Sequence, residues 1–312
     1  MSTVETAAVV VTWEGGEATR RCVESLLAER PGPDLVVVVD NASADAEREA
    51  LHRQWGAAVR VRLVLLAENR HFAGGMNAGA GVAFTAGASS VLFLNNDTVV
   101  QDGAFARLVQ ALGCCAGAGI VGPLVRDRAD PRRVISAGEH HGLLTLCVPR
   151  TLLRPRAPAS PQPYPVRGVM GCALLVSRAC FEAVGGFSET IQVYYEDVDF
   201  CLAAAAAGQR IWIEPRAVVE HDGMRGFARG LTPWAALLKA RNPWLVMRRH
   251  RARLAWLVFL PTYASLIATS AFGYLVRGRR DVARALLAGA AAGACAAAGA
   301  PVRPVGSPRE VG

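Results

Sequence analysis

The first hundred residues alternate between short, uninterrupted apolar runs and longer segments of mixed polarity. "AAVVVTW" (7–13), "LVVVVDN" (35–41), "VRLVLLAEN" (61–69) and "SVLFLNND" (90–97) are rich in β-branched residues and read as four strands. Between them, residues 18–29 carry helical spacing and residues 45–55 are charged and helical. "GGMNAGAGVAFTAG" (74–87) predicts a glycine turn that opens a third helix. Strands that are apolar along their whole length, separated by helices, predict a mostly parallel sheet covered on both faces. The second, third and fourth apolar runs also end in polar side chains: Asp40 and Asn41, then Asn69, then Asn95, Asn96 and Asp97. In such sheets ligands bind beyond the carboxyl ends of the strands, so this convergence predicts a ligand site.

The second half keeps the alternation for a while. The proline-rich, basic stretch 149–165 predicts an exposed connection. "GVMGCALLVSRACFEAVGGF" (168–187) then gives a strand, a helix and a glycine stop, and "YYEDVDFCLAAAAAG" (194–208) gives a helix with an acidic start. "QRIWIEPRAVVEHDG" (209–223) reads as a strand, a proline turn and a second extended run. After residue 230 the pattern is helical throughout. Residues 254–276 carry no charge and as a helix would reach about 35 Å, enough to cross a bilayer core. Arg248, Arg249, Arg251 and Arg253 precede this run, and Arg277, Arg279, Arg280 and Arg284 follow it. Basic flanks on both sides favour helices lying on or dipping into an anionic membrane face, with a true span and a soluble helical subdomain as alternatives.

Composition narrows the class. A chain of 312 residues with 52% hydrophobic and 19% charged residues buries a large core and is not disordered. The net charge of +8 favours anionic partners such as phospholipid or a phosphorylated substrate. Lys239 is the only lysine; every other basic side chain is arginine. Eight cysteines occur without a C-x-x-C pair or zinc-finger spacing, and most lie in apolar runs, which points to a reducing compartment. The N-terminus has no basic segment before its short apolar stretch, so it reads as a first strand in a cytoplasmic protein and not as a signal peptide.

The order of motifs resembles family-2 glycosyltransferases. "VVVDNAS" (37–43), "ENRHFAGGMNAG" (68–79), "LFLNNDTVV" (92–100), "GVMGCALLVSRACFEAVGGFSE" (168–189), "YYEDVDFCL" (194–202) and "LLKARNPWLVMRRH" (237–250) carry the likeness. It is strongest to the bacterial rhamnosyltransferase-like branch that builds cell-surface polysaccharides. The resemblance implies a GT-A fold over residues 1–230, with a nucleotide-binding half at about 1–100 and an acceptor half at about 101–230. Residues 231–312 would be a helical, membrane-associated tail at the inner face of the cell membrane. The implied reaction is inverting, metal-dependent transfer of a sugar, plausibly rhamnose. The donor would be a nucleoside-diphosphate sugar and the acceptor a growing glycan or a lipid-linked one; no nucleic-acid partner is implied.

Roles follow residue by residue. Asp40 matches the acid that contacts the nucleotide, and Trp13, Asn69, Asn77 and Asn95 match positions around the donor. Asn95-Asn96-Asp97 stands where the family has D-x-D, leaving Asp97 as the carboxylate for Mg²⁺ or Mn²⁺, with His221 completing the metal or diphosphate site. In "EDVD" the family's base maps to Asp197, with Glu196 holding acceptor or backbone. Each has a plainer reading: Asp40 as a helix cap, Asp97 as an Asx turn, the acids of "EDVD" as helix capping. Two positions depart from the family: Glu14 replaces a neutral amide after the first strand, and His71 stands where relatives have glycine. These departures keep two rivals open, a sugar-nucleotide nucleotidyltransferase and a non-catalytic glycan- or nucleotide-sugar-binding relative. Acids interleaved in "TWEGGEATRR" argue against the first, and joint retention of Asp97, Asp197 and His221 argues against the second.

Overall fold

The computed structural model describes residues 4–139, 158, 160–222, 231–250, 253–302 and 304–306. Most of the proline-rich stretch and Arg251 lie outside them. The sheet begins with β1 (Thr6–Thr12), β2 (Leu35–Asp40), β3 (Val61–Leu65) and β4 (Ser90–Asn95), linked by α1 (Gly16–Ala28), α2 (Asp45–Trp55) and α3 (His71–Thr85). The chain continues through β5 (Thr98–Val100), α4 (Ala104–Cys114), β6 (Ala118–Asp127), β7 (Val134–Ser136), β8 (Tyr164–Val166) and β9 (Ala173–Ser177). Then follow α5 (Arg178–Val184), α6 (Glu196–Ala206) and β10 (Arg210–His221), and finally α7 (Pro233–His250), α8 (Trp256–Val276) and α9 (Arg280–Ala297).

The main strand order is β3-β2-β1-β4-β9-β6-β10-β5. Strands β1 to β4 run parallel, β9 is antiparallel to both β4 and β6, and β10 is parallel to β6. One reversed strand between β4 and β6 therefore leaves β6 and β10 pointing the same way as β4. The carboxyl ends of six strands share one edge of the sheet, which includes Thr12, Asp40, Asn95, Asp127 and His221.

Period-two alternation divides the apolar side chains between two cores. Val9, Val37, Val39 and Phe93 face α3, α5 and α6. Ala8, Val10, Val36, Val38, Leu92 and Leu94 face α1, α2 and α4. A third cluster joins Ile191 and Val198 to α7, α8 and α9. Buried Cys22 and Cys180 have their thiols pushed up to about 12 by desolvation, as inert core groups do. Cys172 and Cys201 are buried as well, while Cys114 and Cys295 are exposed.

Two elements differ from the sequence reading. The glycine run is no turn: Gly74, Gly75 and Gly79 lie inside α3 and are buried. A Cβ on Gly79 would sit 2.4 Å from Val9 Cγ1, so glycine is what lets α3 lie directly on β1 and β2. β10 is one strand and not two; its register shifts between Glu214 and Val218, a bulge that absorbs Pro215.

The helix surface supplies a prediction of opposite signs. Gly79→Ala forces a methyl into Val9 and should destabilise the protein by about 1–3 kcal/mol. Gly81→Ala, which meets nothing within 4 Å on the exposed side of α3, should stabilise it by up to about 1 kcal/mol. Denaturant unfolding of both variants checks the pair.

Candidate active site

At the end of β4 the chain turns into β5, which pairs antiparallel with β10 so that Thr98 faces His221. That register brings His221 Nε2 to 3.1 Å from Asp97 Oδ1. Asn95 Nδ2 lies 3.5 Å from the same nitrogen. Asn96 points the other way and donates to the hydroxyls of Thr12 and Thr19, at 3.3 and 3.1 Å. The polar triplet after the strand thus divides its work: two residues face His221, and the middle one ties β4 to β1 and α1. The Asp97 side chain is 32% exposed while that of His221 is 8% exposed, so the pair opens to solvent on the carboxylate side.

The pair fits a divalent ion. Two ligands in adjacent positions of an octahedral shell with bonds of about 2.1 Å lie about 3 Å apart, which is the separation of these two atoms. Among the described residues no three His, Cys, Asp or Glu side chains converge. An ion here would take two protein ligands and complete its shell with water or phosphate oxygens, and a nitrogen ligand suits Mn²⁺ better than Mg²⁺.

Asp197 and Glu196 open α6, both more than nine-tenths buried. Asp197 Oδ2 accepts from the Gly171 amide at 2.9 Å, and Oδ1 from the Val198 amide at 2.8 Å. The next residue, Cys172, uses its carbonyl to accept from the Asn95 amide at 3.0 Å. One dipeptide therefore connects the acid of α6 to the segment that carries Asp97. A Cβ on Gly171 would lie 3.0 Å from Asp197 Cβ, so only glycine fits without displacing the acid.

The third acid of "EDVD" has a different task. Asp199 is held by Arg249 at 2.8 Å and His250 at 2.7 Å, both from the end of α7. The loop before α6 is also clasped by α7. Asn242 Nδ2 donates to the carbonyls of Ile191, Val193 and Tyr194. Arg241 donates to the carbonyls of Thr190 and Ile191 and to the Gln192 side chain. Burial pushes the Arg241 guanidinium down to about 10. These contacts attach α7 to the catalytic half, although the sequence division at residue 230 puts it in the tail.

The donor-side expectations fare unevenly. Asp40 is fully buried and accepts from Arg48 Nε at 2.8 Å and from the Ser43 amide. Asn69 Oδ1 accepts from the His71 amide at the start of α3. Trp13 follows β1 and is half-buried at the same edge. Asn77 lies within α3, donates to the Phe187 carbonyl and accepts from the Phe187 amide, both at 2.9 Å, and so brackets the loop before α6. The Glu14 carboxylate accepts from the Ala44 amide at the start of α2.

Among the described residues, the non-glycine positions with positive φ are Glu14, Ala42, His71, Gln192, Tyr194 and Tyr195. The first three follow β1, β2 and β3, and the others lie in the loop before α6. Such conformations cost about 1–3 kcal/mol each and gather where function over-determines the backbone. His71, with φ of 56°, has a left-handed backbone, the conformation that favours glycine. Sequence reasoning missed Asp222, whose amide donates to the Asp97 carbonyl and whose carboxylate pairs with Arg21 and Arg128. Its position next to His221 was the available signal. Arg225, a conjectured diphosphate contact, falls outside the described residues.

Comparisons with known proteins agree with this geometry. Residues 4–247 match the family described as "Glycosyltransferase like family 2", past the expected boundary at 230 and through most of α7. A relative from Mycobacterium tuberculosis (strain CDC 1551 / Oshkosh), N-acetylglucosaminyl-diphospho-decaprenol L-rhamnosyltransferase, is 29% identical over 270 residues, 80% of this chain and 87% of the relative. The fold is similar to that of a mannosyltransferase from Pyrobaculum calidifontis solved with GDP-Man and Mn²⁺ (TM-score 0.55, 20% identity, 96% of this chain and 77% of that one). It is also similar to S. aureus TarS 1-349 solved with UDP-GlcNAc (TM-score 0.56, 14% identity, 91% and 79%). The shared sheet, the polar edge at its carboxyl ends and the extent of the match lead to one statement: this chain belongs to glycosyltransferase family 2 and has the GT-A fold.

Proposed function

We propose that the chain is an inverting, metal-dependent glycosyltransferase that moves a sugar, plausibly rhamnose, from a nucleoside-diphosphate donor to a lipid-linked or growing glycan acceptor. The observation that carries this reading is the pair of acidic centres joined through Gly171 and Cys172: Asp97 with His221 on one side, Asp197 on the other. A divalent ion held by Asp97 and His221 would neutralise charge growing on the departing diphosphate. Asp197 would take the proton of the acceptor hydroxyl as it attacks the anomeric carbon opposite the diphosphate. Both of its oxygens accept a backbone N–H, which orients the carboxylate. Trp13, Asp40, Asn69 and Asn95 would line the donor side, with Asp40 presented by Arg48.

The same reading places the protein at the inner face of the membrane, as a peripheral or monotopic enzyme. Among the described residues α8 alone is long and apolar enough to cross a bilayer. One side of it is already used: Phe259, Tyr263, Ile267 and Ala271 are buried, and the Tyr263 hydroxyl donates to the Ala240 carbonyl of α7. α9 packs closely on α7, where a Cβ on Gly289 would meet the Leu237 carbonyl at 2.2 Å. A helix fastened along one side to α7, which in turn holds α6, favours an in-plane placement over a span. Its other side exposes Leu257, Val258, Leu260, Phe272, Leu275 and Val276, with Leu254 exposed just before it and Arg277, Arg280 and Arg284 exposed beyond it. An apolar strip beside arginines complements an anionic lipid surface.

Two measurements test these readings. In a screen of nucleotide sugars, Mn²⁺ should promote release of nucleoside diphosphate. Asp97→Ala should abolish this release, while Asp197→Asn should keep Mn²⁺–nucleotide binding and lose transfer by roughly 10²–10⁴-fold. Metal-independent turnover in Asp97→Ala would refute the assignment. Separately, the protein should sediment with anionic but not neutral vesicles and be released by alkaline carbonate. Leu257→Glu with Phe272→Glu should weaken sedimentation, and resistance to carbonate would mean a span.

A further inference from the structure

The loop before α6 and the start of α7 carry an aromatic cluster that the proposed chemistry leaves unused. Trp234 stacks on His71, with ring centroids 5.9 Å apart and planes at 23°, and meets the edge of Tyr194 at 6.1 Å. It thereby joins the carboxyl-end side of β3 to the residue two before Glu196. The indole nitrogen is committed elsewhere, donating to the Gly306 carbonyl at 2.7 Å, so Trp234 acts at this place through its ring. The neighbouring Val305 is fastened to Gln192 by two hydrogen bonds, 2.9 and 3.0 Å, which ties the C-terminal segment to the same loop. Three rings are half-buried here, and His71, Tyr194 and the intervening Gln192 all have left-handed backbones.

The chain's only lysine stands beside this cluster. Lys239 Nζ lies 4.6 Å from the centre of the Tyr194 ring. The Tyr194 phenol is pushed up by burial and by the nearby Glu196 carboxylate, so ring, lysine and acids share one small region. Arg241, two residues on, is spent on loop carbonyls. α8 meets α7 at the next residue, where Tyr263 bonds to the Ala240 carbonyl.

Resting on the transferase reading above, we propose that Tyr194, Trp234 and His71 form the wall against which the acceptor's pyranose ring packs, and that Lys239 receives a diphosphate attached to that ring. The order of groups carries the inference. Asp197 opens α6, Tyr194 stands three residues before it, Lys239 lies over the Tyr194 ring, and the helix that carries Lys239 is the one on which apolar α8 packs. A lipid-linked sugar diphosphate presents a hydroxyl, a ring whose C–H face suits an aromatic face, two phosphates and an alkyl chain. An ammonium binds phosphate as a compact point charge, and arginine can replace it in charge.

The test is a binding measurement on the full chain, with Mn²⁺ and nucleoside diphosphate already occupying the donor side. Two probes are titrated: N-acetylglucosamine joined through a diphosphate to a short isoprenyl chain, and the same sugar joined to that chain directly. The native protein should bind the diphosphate probe about tenfold or more tightly than the other. Lys239→Gln should lose most of that preference, Lys239→Arg should keep it, and Trp234→Leu should weaken both probes alike. Equal binding of the two probes by the native protein, or an unchanged preference in Lys239→Gln, would overturn the proposal. Failure to release nucleoside diphosphate from any nucleotide sugar would instead overturn the transferase reading and leave the probe preference standing.

Discussion

The Gly171–Cys172 dipeptide is the constraint on which the site depends. Its two residues face opposite ways at the start of β9: the Gly171 amide donates to Asp197, and the Cys172 carbonyl accepts from Asn95. β9 is also the reversed strand that lets β6 and β10 run in the direction of β4. The strand that corrects the sheet's direction therefore also sets the spacing between the acid of α6 and the polar turn after β4. A side chain at residue 171 would press on Asp197, and a shift of Cys172 would move Asn95 and with it the approach of Asp97 to His221.

α7 supports this arrangement from the far side. The loop from Thr190 to Tyr195 exposes several carbonyls to a poorly solvated space, and Arg241 and Asn242 satisfy them from one turn of helix. Unpaired, such groups would each cost about 1–3 kcal/mol. The same helix neutralises buried Asp199 through Arg249 and His250. Left-handed residues persist in this loop because both ends of it are held, by α3 through Ala73 and Asn77 and by α7. The apolar helix α8 is bonded to α7, so α7 stands between it and the loop before α6.

Much of this was legible in the order of residues. Uninterrupted runs such as "LVVVV" could only be strands covered on both faces, and helix α2 begins and ends where its charges suggested. The polar ends of the strands do converge. What escaped the sequence was direction. Asn77 binds Phe187 and Glu14 binds the Ala44 amide at the start of α2, bonds to backbone groups that no spacing reveals. Gly79 signals a turn in isolation, and only the closeness of Val9 shows it to be a packing glycine. Asp222, Arg241 and Asn242 depend on contacts across many residues, and such pairings are invisible until the sheet is assembled.

Replacing Gly171 by alanine tests the central claim most directly. The added methyl should push Asp197 out of line by a few tenths of an ångström; a misplacement of about 1 Å can cost about 10²-fold in rate, so this smaller one should cost roughly 10-fold. The variant is to be assayed for transfer and, by calorimetry, for binding of the Mn²⁺–nucleoside diphosphate complex. The account predicts that transfer falls by about that factor while the complex still binds. Native transfer rates in Gly171→Ala would contradict it, since the peptide would then have no part in holding the acid against the donor site.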